Sequence, residues 1–156
     1  MNDIRFYDPR QGDYCALSNL HPRVMHYLGV HYATAEHAFQ VLKARAPLRP
    51  WLMAAPTPEL VAVAGDALSA EQTVEHWQRD HLEIMTDIVR AKFAQHADLR
   101  ELLLATGSAR LVEWSPDDSE VARYWGQYQG QGSNLLGKIL MALRHEYREQ
   151  NSRQSR

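Results

Sequence analysis

One cysteine, Cys15, stands among the 156 residues of the chain. Its solitude excludes an internal disulfide and any cysteine-rich zinc or iron–sulfur site, and favours a reducing compartment. With no flanking basic residue and no obvious paired histidine, Cys15 is read as a small apolar filler rather than a nucleophile. Long apolar runs are missing too: none approaches the ~18 residues that span a bilayer. The start, Met-Asn-Asp-Ile-Arg-Phe-Tyr-Asp, has no apolar core of signal-peptide length. The expectation is a cytoplasmic protein with no membrane partner. Charge of one sign is also scarce. Lys plus Arg total 17 against 19 Asp plus Glu, a net of −2, which is not the global basic field of a protein that grips duplex DNA through phosphates. A local basic groove is compatible with that sum. No His-Glu-x-x-His occurs. His21, His26 and His31 recur every five residues across different elements, and His76 and His81 are likewise five apart, off helical ligand spacing. Neither a metal nor a cofactor is expected.

What is present is ordinary for a globular chain: 45% hydrophobic and 23% charged residues. The spacing predicts an α+β fold, mostly helical, as a single domain over residues 1–150 with a small sheet and a polar tail, 151–156, that frays. Ile4–Tyr7 is a brief strand, and Val24–Leu28 with Val30–Tyr32 form a hairpin about Gly29. Thr34 caps a helix running to about Ala46, where Pro47 and Pro50 stop it. Thr57–Gly65 is a second, short helix. Ala70 to about His96 is the longest periodic element, with Val74, Trp77, His81, Ile84 and Ile88 as its stripe. Asp98–Ala105 is helical, Arg110–Trp114 a strand, and Asp117–Tyr124 one or two helical turns. A glycine-rich loop, Trp125–Gly132, leads to Ser133 as cap of the last helix. There is no internal repeat and no linker.

Two constellations bear chemistry. Glu36, Gln40 and Lys43 sit at i, i+4 and i+7 on one helix face, with His37 rotated about a hundred degrees away. A carboxylate, an amide and an amine so arranged describe either an ordinary solvated face or a carboxylate held to position or deprotonate a water, and spacing leaves both open. The second is Tyr124-Trp125-Gly126 through Gly130, Gly132 and Asn134. Glycines before a helix start let backbone N–H groups approach a phosphate, and Trp and Tyr stack on flat bases. The spacing matches neither the Rossmann fingerprint nor the Walker loop, so a plain surface loop is the competing reading.

The residues themselves resemble a family. Leu17-Ser18-Asn19-Leu20, then Tyr32-Ala-Thr34-Ala-Glu36-His37-Ala-Phe39-Gln40-Val-Leu-Lys43, is similar to the signature of the NADAR family, also called YbiA-like, whose usual form is S-N-F followed by W-P-T-S-E-H-Y-F-Q-x-x-K. The likeness continues through Arg90-Ala-Lys92-Phe93, Leu111-Val-Glu113, Trp125-Gly126 and Gly130-x-Gly132-x-Asn134, with Trp77 thirteen residues before Arg90 as in the family. It spans about Phe6 to Arg144. The resemblance implies the YbiA-like fold and an N-glycosidase that cuts a bond between ribose C1 and an amine nitrogen. It implies as substrate either ADP-ribosylated guanine or phosphoribosyl-amine intermediates of riboflavin synthesis. Glu36 and Lys43 are then expected to be catalytic, the carboxylate stabilising the sugar cation or activating water and the amine forming an imine or pairing with Glu36. Asn19, His37, Gln40, Trp77, Arg90, Trp125, Gly126, Gly130, Gly132 and Asn134 are expected to bind substrate.

This chain departs from the family at Gln127, where Asp is usual, at Tyr32 for Trp and at Ser133 for Lys; Asp117, Asp118 or Glu120 is a possible replacement for the missing carboxylate. The changed loop favours ADP-ribosylguanine, and the near-neutral charge favours a flipped or single-stranded base in DNA. A DNA ADP-ribosyltransferase toxin is the partner such a substrate implies. The alternative is a non-catalytic sensor that binds NAD or ADP-ribose.

Overall fold

The elements run β1 (Ile4–Phe6), β2 (Met25–Tyr27), β3 (Val30–Tyr32), α1 (Ala35–Lys43), α2 (Arg49–Met53), α3 (Pro58–Asp66), α4 (Trp77–Gln95), α5 (Ala97–Ala105), β4 (Leu111–Ser115), α6 (Glu120–Trp125), β5 (Gln127–Tyr128) and α7 (Leu135–Gln154). This is the α+β, mostly helical class expected. The computed structural model describes residues 2–155, so Met1 and Arg156, the ends of the expected domain and tail, lie outside the described residues. Residues 19–95 form one unit, and the segments on either side form another. Among the described residues no helix is long and apolar enough to cross a membrane.

In the first unit, β2 and β3 pair antiparallel with Met25 opposite Tyr32. The turn is Leu28-Gly29, both at positive φ (50° and 79°), as a two-residue hairpin turn requires. Met25 and Tyr32 are both buried, so the hairpin has one core face although its sequence alternates poorly. Thr34 caps α1 as expected, its Oγ1 accepting from the His37 amide at 3.1 Å. The helix ends at Lys43, short of Ala46, because Ala44 turns extended and bridges Thr73. Pro50 then opens α2 rather than only closing α1, since proline is tolerated in a first turn. Thr57 caps α3 through the Leu60 amide.

The largest correction is the start of α4, which lies at Trp77 and not at Ala70. His76 stands at φ 64°, outside any right-handed helix, and the Val74 amide donates to the Lys43 carbonyl at 2.9 Å. That long-range pairing takes the backbone groups a helix would use. From Trp77 on, Met85, Ile88, Val89 and Phe93 form the buried face, while Leu82 points outward.

In the second unit, β4 lies between β1 and β5 with both pairs parallel, Ile4 opposite Leu111 and Trp114 opposite Gln127. Parallel strands need a crossover, and α6 supplies it between β4 and β5. Part of the expected glycine loop is therefore a strand. Leu136, Leu140 and Leu143 of α7 are buried, as are Leu99 and Leu103 of α5, each such side chain stabilising the fold by about 1.5–3 kcal/mol. Two corrections concern α7. Ser133 does not cap it: the flanking residue is Asn134, at φ 50°, with no side-chain cap bond. The helix also continues to Gln154, so residues 151–154 are helical rather than frayed.

Candidate active site

Asn19 and Thr34 fix the start of α1. The Glu36 amide donates to the Asn19 carbonyl at 3.0 Å, and Asn19 Nδ2 rests 3.2 Å from Met85 Sδ on α4. His37, 2% exposed, is clamped between Thr34 Oγ1 at 2.8 Å and the Ala55 carbonyl at 3.0 Å. Along the next stripe, Gln40 Nε2 donates to Glu36 Oε1 at 2.8 Å, and Lys43 Nζ donates to the Gly65 carbonyl at 2.7 Å. The stripe faces α3 and not open solvent, and Gln40 is buried.

Glu36 keeps partial exposure, yet enough protein surrounds its carboxyl that lost hydration pushes it up to about 7. The Gln40 hydrogen bond opposes that shift by favouring the ionised form; Asp66 adds to it by charge and Lys43 subtracts. Asp66, at the end of α3, is itself raised by partial desolvation against the pull of Lys43. A carboxyl with its midpoint near neutrality is divided between acid and base forms and can give or take a proton.

The structure brings Asn19, Glu36, His37, Gln40 and Lys43 together at α1. Trp77 packs in the core against Phe39, ring centroids 4.9 Å apart. Arg90 is exposed on α4, 3.5 Å from Asp87. Sequence reasoning missed Asp66, read Gly65 only as a helix end, and did not foresee the burial of Lys92, which is 1% exposed. A lysine two turns beyond Met85 on an apolar stripe was the available signal for the last.

In the second unit Gly126 and Gly132 sit where the backbone packs closely. A Cβ at Gly126 would stand 2.3 Å from the Glu113 carbonyl oxygen, and one at Gly132, φ 143°, 2.4 Å from that of Gly126. Gln129 and Gly130, both at positive φ, turn the chain so that Tyr128 and Gln131 pair. The amides of Ser133 and Asn134 donate to the Arg123 and Gly126 carbonyls. Asn134 is buried with both ends of its side chain taken: Nδ2 donates to Leu111 O at 2.9 Å and Oδ1 accepts from Glu113 N at 3.1 Å. Trp125 meets Tyr124 edge-on at 4.8 Å. Gln127 Nε2 donates to the Gly132 carbonyl at 3.3 Å. Of the acids near the loop, Asp118 is held bidentately by Arg123, the Asp117 amide donates to Ser115 Oγ, and Glu120 opens α6.

Comparison with known proteins agrees with this architecture. The family model of the NADAR domain matches residues 5–148. N-glycosidase Npun_R5314 of Nostoc punctiforme is 40% identical over 150 residues, covering 93% of this chain and 92% of that protein. N-glycosidase YbiA of Escherichia coli is 36% identical over 145 residues, covering 92% and 87%. Its NMR structure superposes with a TM-score of 0.83 over 97% of this chain and 89% of that one, at 34% identity. Riboflavin biosynthesis protein VVA0006 of Vibrio vulnificus is 34% identical, with 94% of this chain matching 39% of that longer protein. The chain belongs to the NADAR family.

Proposed function

We propose that this protein is an N-glycosidase that hydrolyses a ribosyl C1–N bond, with Glu36 as its acid–base carboxyl and ADP-ribosylated guanine as its substrate. The N-glycosidase class follows from relatives 36–40% identical over nearly the whole chain. The observation that carries the role of Glu36 is its carboxyl, pushed up to about 7 at the start of α1 and contacted by the Gln40 amide. In hydrolysis the water oxygen bonds to C1 as the C1–N bond breaks. The water proton leaves to a base and the departing nitrogen gains one, and a carboxyl near its midpoint serves either transfer. Its ionised form also stabilises the positive sugar. Lys43, anchored on the Gly65 carbonyl, supports this reading as a nearby cation; an imine would require it to leave that bond.

The choice of guanine rests on Gln127, an amide at the position where the family usually carries Asp. The name of the Vibrio relative supports phosphoribosyl amines of riboflavin synthesis as the competing substrate. Incubation with ADP-ribosylated guanine in single-stranded DNA and, separately, with those amines decides between them: release of ADP-ribose from the first is the expected result. Release from neither removes the enzymatic reading. Gln127 also favours a second reading, a sensor of NAD or ADP-ribose, for which calorimetry would show tight binding and prolonged incubation no turnover. A DNA ADP-ribosyltransferase as partner belongs to the guanine reading.

A further inference from the structure

Gly65 lies in the last turn of α3 and carries no side chain where α1 passes. A Cβ built on it would stand 1.8 Å from Gln40 Oε1 and 2.4 Å from Gln40 Cδ. The backbone of Gly65 is ordinary helix, so its value here lies in space, not in conformational freedom. The Gln40 amide fills the notch. Its Oε1 is buried there with no hydrogen-bond partner among the described residues, while its Nε2 reaches Glu36. An unpaired buried acceptor is unfavourable, and a leucine would fill the same volume without one. What a leucine lacks is the donor aimed at Glu36.

We propose that Gly65 and Gln40 are a positioning pair for Glu36: the bare Cα of Gly65 lets the Gln40 amide lie against α3 with its NH2 directed at the Glu36 carboxyl. The Gly65 carbonyl meanwhile holds Lys43 Nζ at 2.7 Å, one turn further along α1. The pair deepens the assignment of Glu36 as the reacting carboxyl and rests on it for its meaning in catalysis. The charges acting on Glu36 are Asp66 from α3 and Lys43 from α1. On the other elements packed against α1, Arg49 of α2 donates to the Ala44 carbonyl and acts on Tyr32 of β3. On α4, His81 Nδ1 meets the Trp77 carbonyl, and Lys92 lies 5.5 Å from the Phe93 ring centroid. Gln40 is thus the neutral donor through which α3 acts on Glu36, and its donation favours the ionised form.

The test is a carboxyl titration of the full chain carrying 13C-labelled glutamate, with Glu36 assigned by its absence in Glu36→Gln. Gln40→Leu keeps the notch filled and removes the donor; Gly65→Ala displaces the amide without touching Glu36. Both raise the Glu36 midpoint by about 0.5–1 unit, and Asp66→Asn lowers it. If Gly65→Ala does not fold, adding Gln40→Ala removes the clash and restores folding; a double variant that stays unfolded overturns the role of Gly65. An unchanged midpoint in folded Gln40→Leu overturns the pair. Because the readout is the carboxyl itself, failure of the catalytic assignment remains separable. A shifted midpoint that the pH profile of turnover does not follow supports the pair and removes Glu36 from the reaction.

Discussion

Gln40 Nε2 lies 2.8 Å from Glu36 Oε1, one turn away on the same helix. The contact joins two side chains whose i, i+4 spacing is visible in the sequence, and it places both against α3. It leaves Glu36 under two opposed influences, desolvation that protonates it and a donor that ionises it. Balanced near neutrality, such a group weakens the fold when it ionises, and the balance is measurable.

The stability measurement follows from the direction of the shift. In the folded protein Glu36 titrates at about 7, above its ordinary value of 4.5. Its contribution is therefore fully present below about 4.5 and is lost as pH rises through about 7. Glu36→Gln should leave the free energy of unfolding nearly unchanged at pH 4 and raise it at pH 8.5 by on the order of 1–2 kcal/mol once partial solvent screening is allowed for, read as a higher melting temperature at pH 8.5 alone. A gain equal at both pH values would contradict the raised carboxyl.

Turnover should show the same group. The pH profile of kcat/KM is expected to bend near 7, where the Glu36 carboxyl changes form. Asp66→Asn should move that bend downward. A profile flat from pH 5 to 9 on a substrate that is cleaved would assign the proton transfers elsewhere.

The face bearing Glu36, Gln40 and Lys43 was legible because helical spacing and the Thr34 cap are local signals. The short helix from Thr57 and the hairpin about Gly29 were legible for the same reason, although Leu28, read as strand, belongs to the turn. What failed was settled at long range. Val74 and Trp77 fit a helical stripe, but the Lys43 carbonyl claims the Val74 amide and Ala44 claims Thr73, so α4 starts late. Two residues make a strand at Gln127–Tyr128 only because β4 lies alongside. At Gly126 and Gly132 the sequence shows the glycines but not the long-range packing around them, a carbonyl closer to each than a Cβ allows. Asp66 has no signal in sequence at all, since its nearness to Glu36 exists only once α3 packs on α1.

Asn134 separates binding from folding. Its side chain joins the Leu111 carbonyl to the Glu113 amide from a residue at φ 50°. Asn134→Ala leaves both backbone groups unpaired and puts alanine in the left-handed region, which should cost about 2–4 kcal/mol. A denaturant midpoint equal to wild type, with ligand affinity lost, would return Asn134 to substrate binding.

Lys43 is expected to act as a charge. Borohydride added during turnover should trap no sugar on the wild-type protein, and Lys43→Ala should raise the Glu36 midpoint, since the lysine lowers it. A reduced adduct mapped to Lys43 by mass spectrometry would establish an imine instead.

The most direct test is the rate of C1–N cleavage by Glu36→Gln, measured beside wild type on ADP-ribosylated guanine and on phosphoribosyl amines, with ligand affinity measured in parallel. The substitution keeps size and hydrogen bonding and removes the titrating proton. Turnover should fall by roughly 10²–10⁴-fold while affinity stays within a few-fold. A variant that cleaves at the wild-type rate would contradict the assignment of Glu36 as the reacting carboxyl.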